Sequence, residues 1–446
     1  MRKAKIYYAR MDEFWRKEQK LSCLEKFENL QDVDWQEIKP DKKYVWLTEG
    51  FEDDFDSFIA LGSKESKASK VDVTDCIFKI FSNGVKTNRD AWVYSFTSND
   101  LSANIKTTVE AYNIQVSRWN QQESKSLNID DFIIYDDTKI SWSSTLKTWL
   151  KRGDLHKFNS DQIRSALSRP FCKQFMYFDE VINDRRGLFP LIYPNHQSEV
   201  ENLIISVPGA GGRTKFWSFI SNLITNLSLT SIDQTQCFPF YTYDEDGNNR
   251  RENITDWALE QFQTHYQDPK ITKWDIFHYT YALLHHPHYR QRYAANLKRE
   301  LPRIPFAPEF HPFAIAGKRL TEIHINYEQQ PEYRLKHIEN KDLPIDWRVE
   351  KMRLSKDKTQ IKYNDFLTLT GIPPETFEYK LGNRSALDWI IDQYQVSTDK
   401  RSGITNDPNR LDDEEYIVRL VKQVITVSLE TVKIVKGLPD LGLPKD

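Results

Sequence analysis

Cysteine is scarce in this sequence, and its four positions lie far apart. Cys23, Cys76, Cys172 and Cys237 form no C-x-x-C pair. This spacing argues against a disulfide scaffold and a zinc knuckle, and it favours a reducing, cytoplasmic compartment. No run of about 18 apolar residues occurs, so no membrane-spanning helix is expected. The charged first residues also lack the apolar segment of a secretory signal.

Glycine is also sparse, with 15 among 446 residues, although phosphate-binding loops need it for close backbone approach. The run Gly209–Gly212 matches neither GxxxxGK[ST] nor a GxGxxG that opens a helix. It is more typical of a loop beside a sheet, whose N–H groups are able to meet a phosphate. The Asn/Asp-Pro-Pro-aromatic tetrapeptide of amino-methylating DNA enzymes is absent, and Pro373-Pro374 fits a turn. We therefore expect no catalytic residue and no bound cofactor in this chain.

Neither sign of charge dominates, because 62 Lys and Arg face 65 Asp and Glu, a net charge of -3. This excludes a small, strongly basic nucleic-acid module. It does not exclude a large DNA reader with a local basic groove, since binding depends on how the charges are distributed.

The clusters of potential metal ligands in this sequence lack the spacing of a metal site. His285, His286 and His288 point in different directions on a helix that Pro287 is expected to end, and no carboxylate follows at ligand spacing. The pairs at 130–131 and 136–137 are more typical of solvated aspartates than of a nuclease site. We therefore predict no metal site.

Aromatic residues, in contrast, are abundant, with 12 Trp, 21 Tyr and 25 Phe, which excludes a disordered chain. The length suggests about three domains or two large ones. The predicted fold is α+β, with a sheet-rich N-terminal half and a helical C-terminal half that contains a β-hairpin. The predicted parts are a connector at 1–70, a sheet-rich lobe at 71–252 and a mainly helical lobe at 253–446.

Apolar periodicity predicts individual elements. Strands are expected at 4–9, 34–38, 45–47, 77–81, 91–96, 175–178, 203–207 and 237–243, and a hairpin at 348–363. Helices are expected at 12–24, 101–119, 161–167, 257–266, 274–286, 289–301, 386–394 and 415–436. Polar loops are expected at 62–70, 121–128 and 397–410, and an extended segment at 305–312.

One predicted hairpin carries the types of side chain that can contact DNA. The segment Ser82–Tyr94 holds Lys86, Thr87, Asn88 and Arg89 between two apolar runs. Arginine pairs with guanine and asparagine with adenine, whereas lysine and threonine suit phosphates. The alternative is an ordinary hairpin with a polar tip. Similar loop clusters, each also compatible with solvated surface, lie at Arg185, Arg186, Arg213, Lys215, Lys318, Arg319, Lys400, Arg401, Asn406 and Arg410.

Several strings, in order and over nearly the whole chain, resemble the C-terminal part of type ISP restriction–modification enzymes. These enzymes join nuclease, helicase-like motor, adenine-N6 methyltransferase and target-recognition domain in one polypeptide. The strings are SNGVKTNRDAWVY, RPF at 169–171, QCFPFYTY, KWDIFHYTYALLHHPHYRQRYAANLKRELPRIPF, GKRLTEIHINYE, YQVSTDKRSGITNDPN and ITVSLETVKIV. The opening KIYYARMDEFWRKEQKL resembles the stretch just after the methyltransferase core.

The resemblance implies a DNA reader that delivers an adenine in a short asymmetric site to a methyltransferase. The family's nuclease, motor and methyltransferase motifs are absent here. The leading hypothesis is therefore a detached specificity part without chemistry of its own, whether split-gene product, relic or subunit. Its partners would be double-stranded DNA and a methyltransferase or restriction polypeptide that carries AdoMet. The alternatives are a diverged or split methyltransferase that is catalytic only with a partner, and a non-catalytic bridging subunit.

Overall fold

The structure is a computed structural model that describes residues 4–12, 15–40, 44, 46–47, 50–63, 75–122 and 128–444. The chain divides into two compact units, residues 1–52 and 53–446. The first unit contains the antiparallel strands β1 (Ile6–Tyr8) and β2 (Gln36–Ile38). Helix α1 (Lys17–Glu25) lies between them along the chain.

The larger unit contains both long and very short helices. The long helices α3 (Ser98–Asn120) and α14 (Tyr416–Lys436) bury one face each, as their apolar periodicity predicts. The helices are α2 (Asp90–Val93), α3 (Ser98–Asn120), α4 (Ile129–Phe132), α5 (Ser144–Arg152), α6 (Phe189–Ile192), α7 (His196–Glu201), α8 (Asp256–Tyr266), α9 (Lys273–Leu283), α10 (Pro287–Arg292), α11 (Ala294–Arg299), α12 (Phe310–Ile325), α13 (Ala386–Gln393) and α14 (Tyr416–Lys436).

The strands of the larger unit are mostly short. They are β3 (Ile59–Ala60), β4 (Ser82–Asn83), β5 (Tyr94–Ser95), β6 (Ile163–Arg169), β7 (Cys172–Tyr177), β8 (Ile204–Pro208), β9 (Phe219–Ser221), β10 (Ile224–Thr225), β11 (Thr235–Pro239), β12 (Tyr241–Thr242), β13 (Arg251–Glu252), β14 (Arg303–Ile304), β15 (Lys336–Glu339), β16 (Arg353–Leu354), β17 (Gln360–Lys362), β18 (Leu367–Thr370), β19 (Lys380–Leu381), β20 (Arg384–Ser385), β21 (Ser397–Thr398) and β22 (Thr405–Asn406).

Three four-stranded sheets organise this unit. Their strand orders are β10-β6-β7-β5, β4-β11-β8-β9 and β15-β18-β17-β16. The first sheet is antiparallel except for the parallel β10–β6 pair, and the other two are antiparallel throughout. Shorter two-stranded ribbons, such as β21–β22, accompany these sheets.

The apolar cores join segments that are far apart in the sequence. One core combines Phe78 and Phe238 with residues of α8, α9 and α12. A second combines Phe171 and Trp217 with the third sheet, α13 and α14. Each large side chain buried in this way contributes about 1.5–3 kcal/mol relative to exposure. The predicted division at 252/253 remains a prediction, and the predicted boundary at 70/71 lies outside the described residues.

The predicted α+β class is confirmed, as are the hairpin near Ser355 and most long helices. Residues 163–169 form a strand and not a helix, because β6 pairs with both β7 and β10. Tertiary pairing therefore overrides local preference there. Residues 90–93 form a helical turn before β5, where one strand was expected. The hairpin belongs to a complete sheet, so the C-terminal half is less purely helical than predicted.

Two helical segments also differ from expectation. Pro287 starts α10 and does not merely end α9, which agrees with the tolerance of proline in a first helical turn. The segment 289–301 is split between α10 and α11. The sequence analysis assigned no helix to 310–325, yet α12 spans it. Parts of the predicted elements at 12–24, 45–47, 62–70 and 121–128 lie outside the described residues.

Candidate nucleic-acid interface

The segment that follows β4 is fixed by backbone contacts on both sides. The N–H of Gly84 donates to the carbonyl of Thr235 at 3.0 Å. A Cβ at Gly84 would lie 2.5 Å from the carbonyl oxygen of Asn226, so only glycine fits this crossing. Lys86 and Arg185 then exchange two backbone hydrogen bonds, each of 2.9 Å. The predicted clusters at 86–89 and 185–186 are therefore brought together.

Asp184 organises this junction. Its carboxylate accepts a hydrogen bond of 2.9 Å from Asn88 Nδ2 and lies 3.3 Å from Lys86 Nζ. Burial raises the pKa of Asp184, but polar neighbours that include Lys86 outweigh burial, so the pKa lies below its usual value. The contact also holds Asn88 in the left-handed region, with φ at 56°, which asparagine tolerates better than most residues.

Arg89 faces the interior, which corrects its prediction as a base-reading side chain. Arg89 is only 3% exposed. Its guanidinium donates hydrogen bonds to Ser141 O at 3.0 Å, to Ser143 Oγ at 2.8 Å and to the carbonyl of Ile182. Burial lowers the pKa of Arg89 to about 10, so the group stays charged at neutral pH. The planar guanidinium, whose N–H groups would suit guanine, instead donates hydrogen bonds to oxygen atoms inside the protein.

Thr87 is corrected in the same way. It is 2% exposed, and its hydroxyl bonds to the carboxylate of Asp90, so it does not face a phosphate. The side chains that remain accessible around the junction are Lys86, Asn88, Arg185 and Arg186. Arg186 lies 3.6 Å from Glu180 and 5.4 Å from the centre of the Phe178 ring, which leaves it partly exposed. We refer to these four residues as the junction cluster.

The glycine-rich loop is closed by protein contacts. Gly209 donates to Gln234 O at 2.7 Å and Gly211 to Lys298 O at 2.8 Å. The carboxylate of Asp233 accepts the backbone N–H of Arg213 at 2.8 Å. Those N–H groups are therefore engaged inside the protein and do not form an open phosphate cradle.

The loop and the segment that leads into the junction cluster share one support, because residues 225–236 bond to Gly84 and Val85 as well as to Gly209 and Arg213. Arg213 and Lys215 are exposed, although the Arg213 guanidinium also donates to Ile232 O at 3.1 Å.

The ribbon β21–β22 presents a further pair of cations. Lys400 and Arg401 are exposed at its tip, where Asp399 accepts the backbone N–H of Ser402 at 2.8 Å. Asn406 instead has a positioning role, since its Oδ1 accepts the N–H of Phe96 at 3.2 Å. This contact attaches the ribbon beside β5, at the edge of the first four-stranded sheet.

The last three predicted residues lie elsewhere. Lys318 and Arg319 are exposed in the middle of α12, so their prediction as a loop cluster is wrong. Arg319 also lies 3.3 Å from Glu322. The guanidinium of Arg410 covers the Tyr416 ring at 3.3 Å from its centre.

The histidines predicted not to bind metal have protein partners. His285 contacts Ser218 Oγ at 3.2 Å, and His286 contacts the carbonyl of Pro439 at 3.1 Å. Across residues 4–444, leaving out the gaps named above, no three His, Cys, Asp or Glu side chains form a metal-binding group. Within the same residues, no helix is long and apolar enough to cross a bilayer.

The sequence profile of the Type ISP C-terminal specificity domain matches residues 76–420, which include every predicted DNA-contacting residue. The chain belongs to the Type ISP C-terminal specificity domain family. The resemblance found in the sequence strings is thereby confirmed. Comparison with curated proteins gave no match.

Solved structures of DNA complexes resemble this specificity domain along nearly its full length. A nuclease-deletion mutant of LlaGI in complex with a DNA substrate mimic is 32% identical, with a TM-score of 0.85 over 99% of this chain and 40% of that one. DrdV in a DNA complex is 33% identical, with a TM-score of 0.85 over 98% and 44%. ATP-dependent LlaBIII bound to DNA is 28% identical, with a TM-score of 0.85 over 99% and 28%. The chain thus spans less than half the length of each.

Residues that position the junction of this specificity domain escaped the sequence analysis. Asp184 holds Lys86 and Asn88, and Ser143 anchors Arg89 from the start of α5. The only indication of this role in the sequence was weak: the Asp184 carboxylate lies between Asn183 and two arginines. Ser143 carried only the signal of a helix N-cap, and nothing linked it to a residue 54 positions earlier.

Proposed function

We propose that this chain recognises a specific sequence in double-stranded DNA as the specificity part of a type ISP restriction–modification system. The observation that carries the proposal is the family match over residues 76–420, together with DNA-bound relatives of 32% and 33% identity. The accessible cations and amide of the junction cluster support it, because such groups meet phosphates and base edges.

Within this proposal the exposed residues divide by chemistry. Asn88, Arg185 and Arg186 read base edges, since amides and guanidinium groups discriminate between bases. Lys86, Arg213, Lys215, Lys400 and Arg401 hold phosphates, which sets affinity and register without reading sequence. Arg89, Thr87 and Asn406 support the surface from behind, as their internal contacts indicate.

Adenine-N6 methylation then belongs to a methyltransferase or restriction polypeptide that works with this chain. We expect AdoMet to bind on that polypeptide and not here. The absent tetrapeptide and the internally bonded glycine loop support this division of labour. A cytoplasmic location agrees with the DNA target and with the four cysteines Cys23, Cys76, Cys172 and Cys237, which are all thiols.

Selection from a pool of random duplexes by the full chain tests the proposal. We expect one short asymmetric motif to be enriched, with log Kd depending steeply on log salt, about 0.9 units of slope per phosphate neutralised. Binding without any enriched motif would leave only non-specific DNA contact. The absence of binding at low salt would contradict the proposal altogether.

A further inference from the structure

The third four-stranded sheet has an outer face that carries cations and hydroxyls. Its inner face carries Ile361, Leu367 and Leu369, which are fully buried. Strand alternation and register place the neighbouring residues on the opposite face. We call that face the outer sheet face; it comprises Lys336, Ile338, Arg353, Gln360, Lys362, Thr368 and Thr370.

The charges on the outer sheet face are all of one sign. Arg353, Lys362 and Lys336 are exposed, and no strand position of this face, all of which are described, holds a carboxylate. Thr368 and Thr370 supply hydroxyl groups between the cations. This composition is typical of a surface that meets a polyanion, since lysine, arginine and threonine all bond to phosphate oxygens.

The strand register adds a second, independent observation. Arg353 of β16 lies directly opposite Lys362 of β17. Like charges directly opposite each other destabilise a sheet, so the pair works against folding when no anion is bound. Among the described residues, the carboxylate paired with Lys362 is that of Asp365 at 2.7 Å, on a side chain that is 84% exposed. Such an exposed pair is weak and easily replaced.

We propose that the outer sheet face binds the phosphate backbone of the DNA duplex that the junction cluster reads. A phosphate between Arg353 and Lys362 would neutralise their repulsion, and the threonines would bond to the adjacent phosphate oxygens. This inference rests on the proposed DNA recognition and adds a second, sequence-independent contact. The charge complementarity favours duplex DNA over an acidic protein surface, because phosphates repeat regularly along the strand.

The test compares the full chain with the Arg353→Ala/Lys362→Ala double variant. We expect the variant to bind every duplex more weakly by the same factor, with an unchanged selected motif. The log–log salt slope should fall by about 0.9 for each phosphate that the variant no longer neutralises. A matched control, Lys270→Ala/Lys433→Ala, removes two cations from other surfaces and should leave affinity and slope unchanged.

Arg353→Glu separates a DNA role from a folding role. It creates an attractive pair with Lys362, so the thermal midpoint should rise or stay constant while DNA affinity falls. If the wild type selects a motif but both variants keep its affinity and salt slope, the outer sheet face does not bind DNA. If the double variant instead loses only an acidic protein partner, the inference is likewise overturned. If the wild type binds no DNA, the proposed function fails first and this inference fails with it.

Discussion

The guanidinium of Arg89 donates a hydrogen bond of 2.8 Å to Ser143 Oγ, the oxygen that also caps helix α5. This contact crosses 54 residues of sequence and joins the predicted reading loop to a helix start. It assigns Arg89 to the support of the candidate interface, whereas the sequence alone favoured a role on its surface.

Replacing Arg89 should therefore destabilise the protein and not alter its selectivity. We expect Arg89→Ala to lower the free energy of unfolding by about 3 kcal/mol or more, because its buried acceptors lose a charged donor. If Arg89 read a base, as its residue type suggested, Arg89→Ala would instead fold normally and lose discrimination. Denaturant unfolding and binding-site selection on the folded fraction measure the two effects. Normal stability with a changed motif would restore the direct-readout role.

Replacing Arg185 should have the opposite effect. The residue is exposed, so Arg185→Ala should change stability by no more than about 0.5 kcal/mol. If its guanidinium reads a base, discrimination at one position should fall by about 1–3 kcal/mol. Binding-site selection measures that loss.

His286→Ala is a useful control for Arg185→Ala because His286 is buried and hydrogen-bonded to Pro439. We expect it to cost about 1 kcal/mol of stability and to leave the motif unchanged. An Arg185→Ala protein with wild-type preference would remove Arg185 from the reading surface.

Buried histidines should make the fold sensitive to mild acid. Burial lowers the pKa of His324 to about 3 and holds the pKa of His285 well below 6.5. Their neutral forms therefore contribute stability at pH values above about 6.5, the pKa of histidine in the unfolded chain. This contribution is lost as pH falls from about 6.5 towards 3. Between pH 6.5 and 5, the loss of neutral His324 should lower the free energy of unfolding by about 1.5–2 kcal/mol, before ordinary carboxylates titrate, and His285 should act in the same direction.

Denaturant unfolding at several pH values measures this loss. In His324→Gln the free energy of unfolding should depend less steeply on pH, by the equivalent of one bound proton. This holds even though the contacts to Tyr281 and Thr431 change. His196→Gln alters an exposed histidine and serves as the matched control. An identical slope for wild type and His324→Gln would show that His324 does not titrate in this window.

The isolated chain should not bind AdoMet. The sequence lacks both the tetrapeptide that faces a target base and a standard glycine loop, and the N–H groups of Gly209 and Gly211 are already bonded. Isothermal calorimetry should therefore detect no saturable heat. Saturable binding at micromolar AdoMet would support the diverged-methyltransferase alternative.

Local patterns were sufficient for much of the architecture. The apolar periodicity of α3 and α14 predicted both helices, since each buries one continuous stripe of side chains. The turn residues Ser355–Lys358 predicted the β16–β17 hairpin. Strand β6 was predicted as a helix because its seven residues are stabilised by partners on both sides, which no local window contains.

The sequence by itself determined the family, the α+β class and the positions of the cationic segments, because each depends on residue type and local order. Tertiary structure alone decided which polar side chains face solvent. Arg89 and Arg185 have the same chemistry, yet one satisfies buried carbonyls and the other remains exposed. The physical reason is that a buried acceptor must find a donor, and the donor it finds depends on chain segments that meet only after folding.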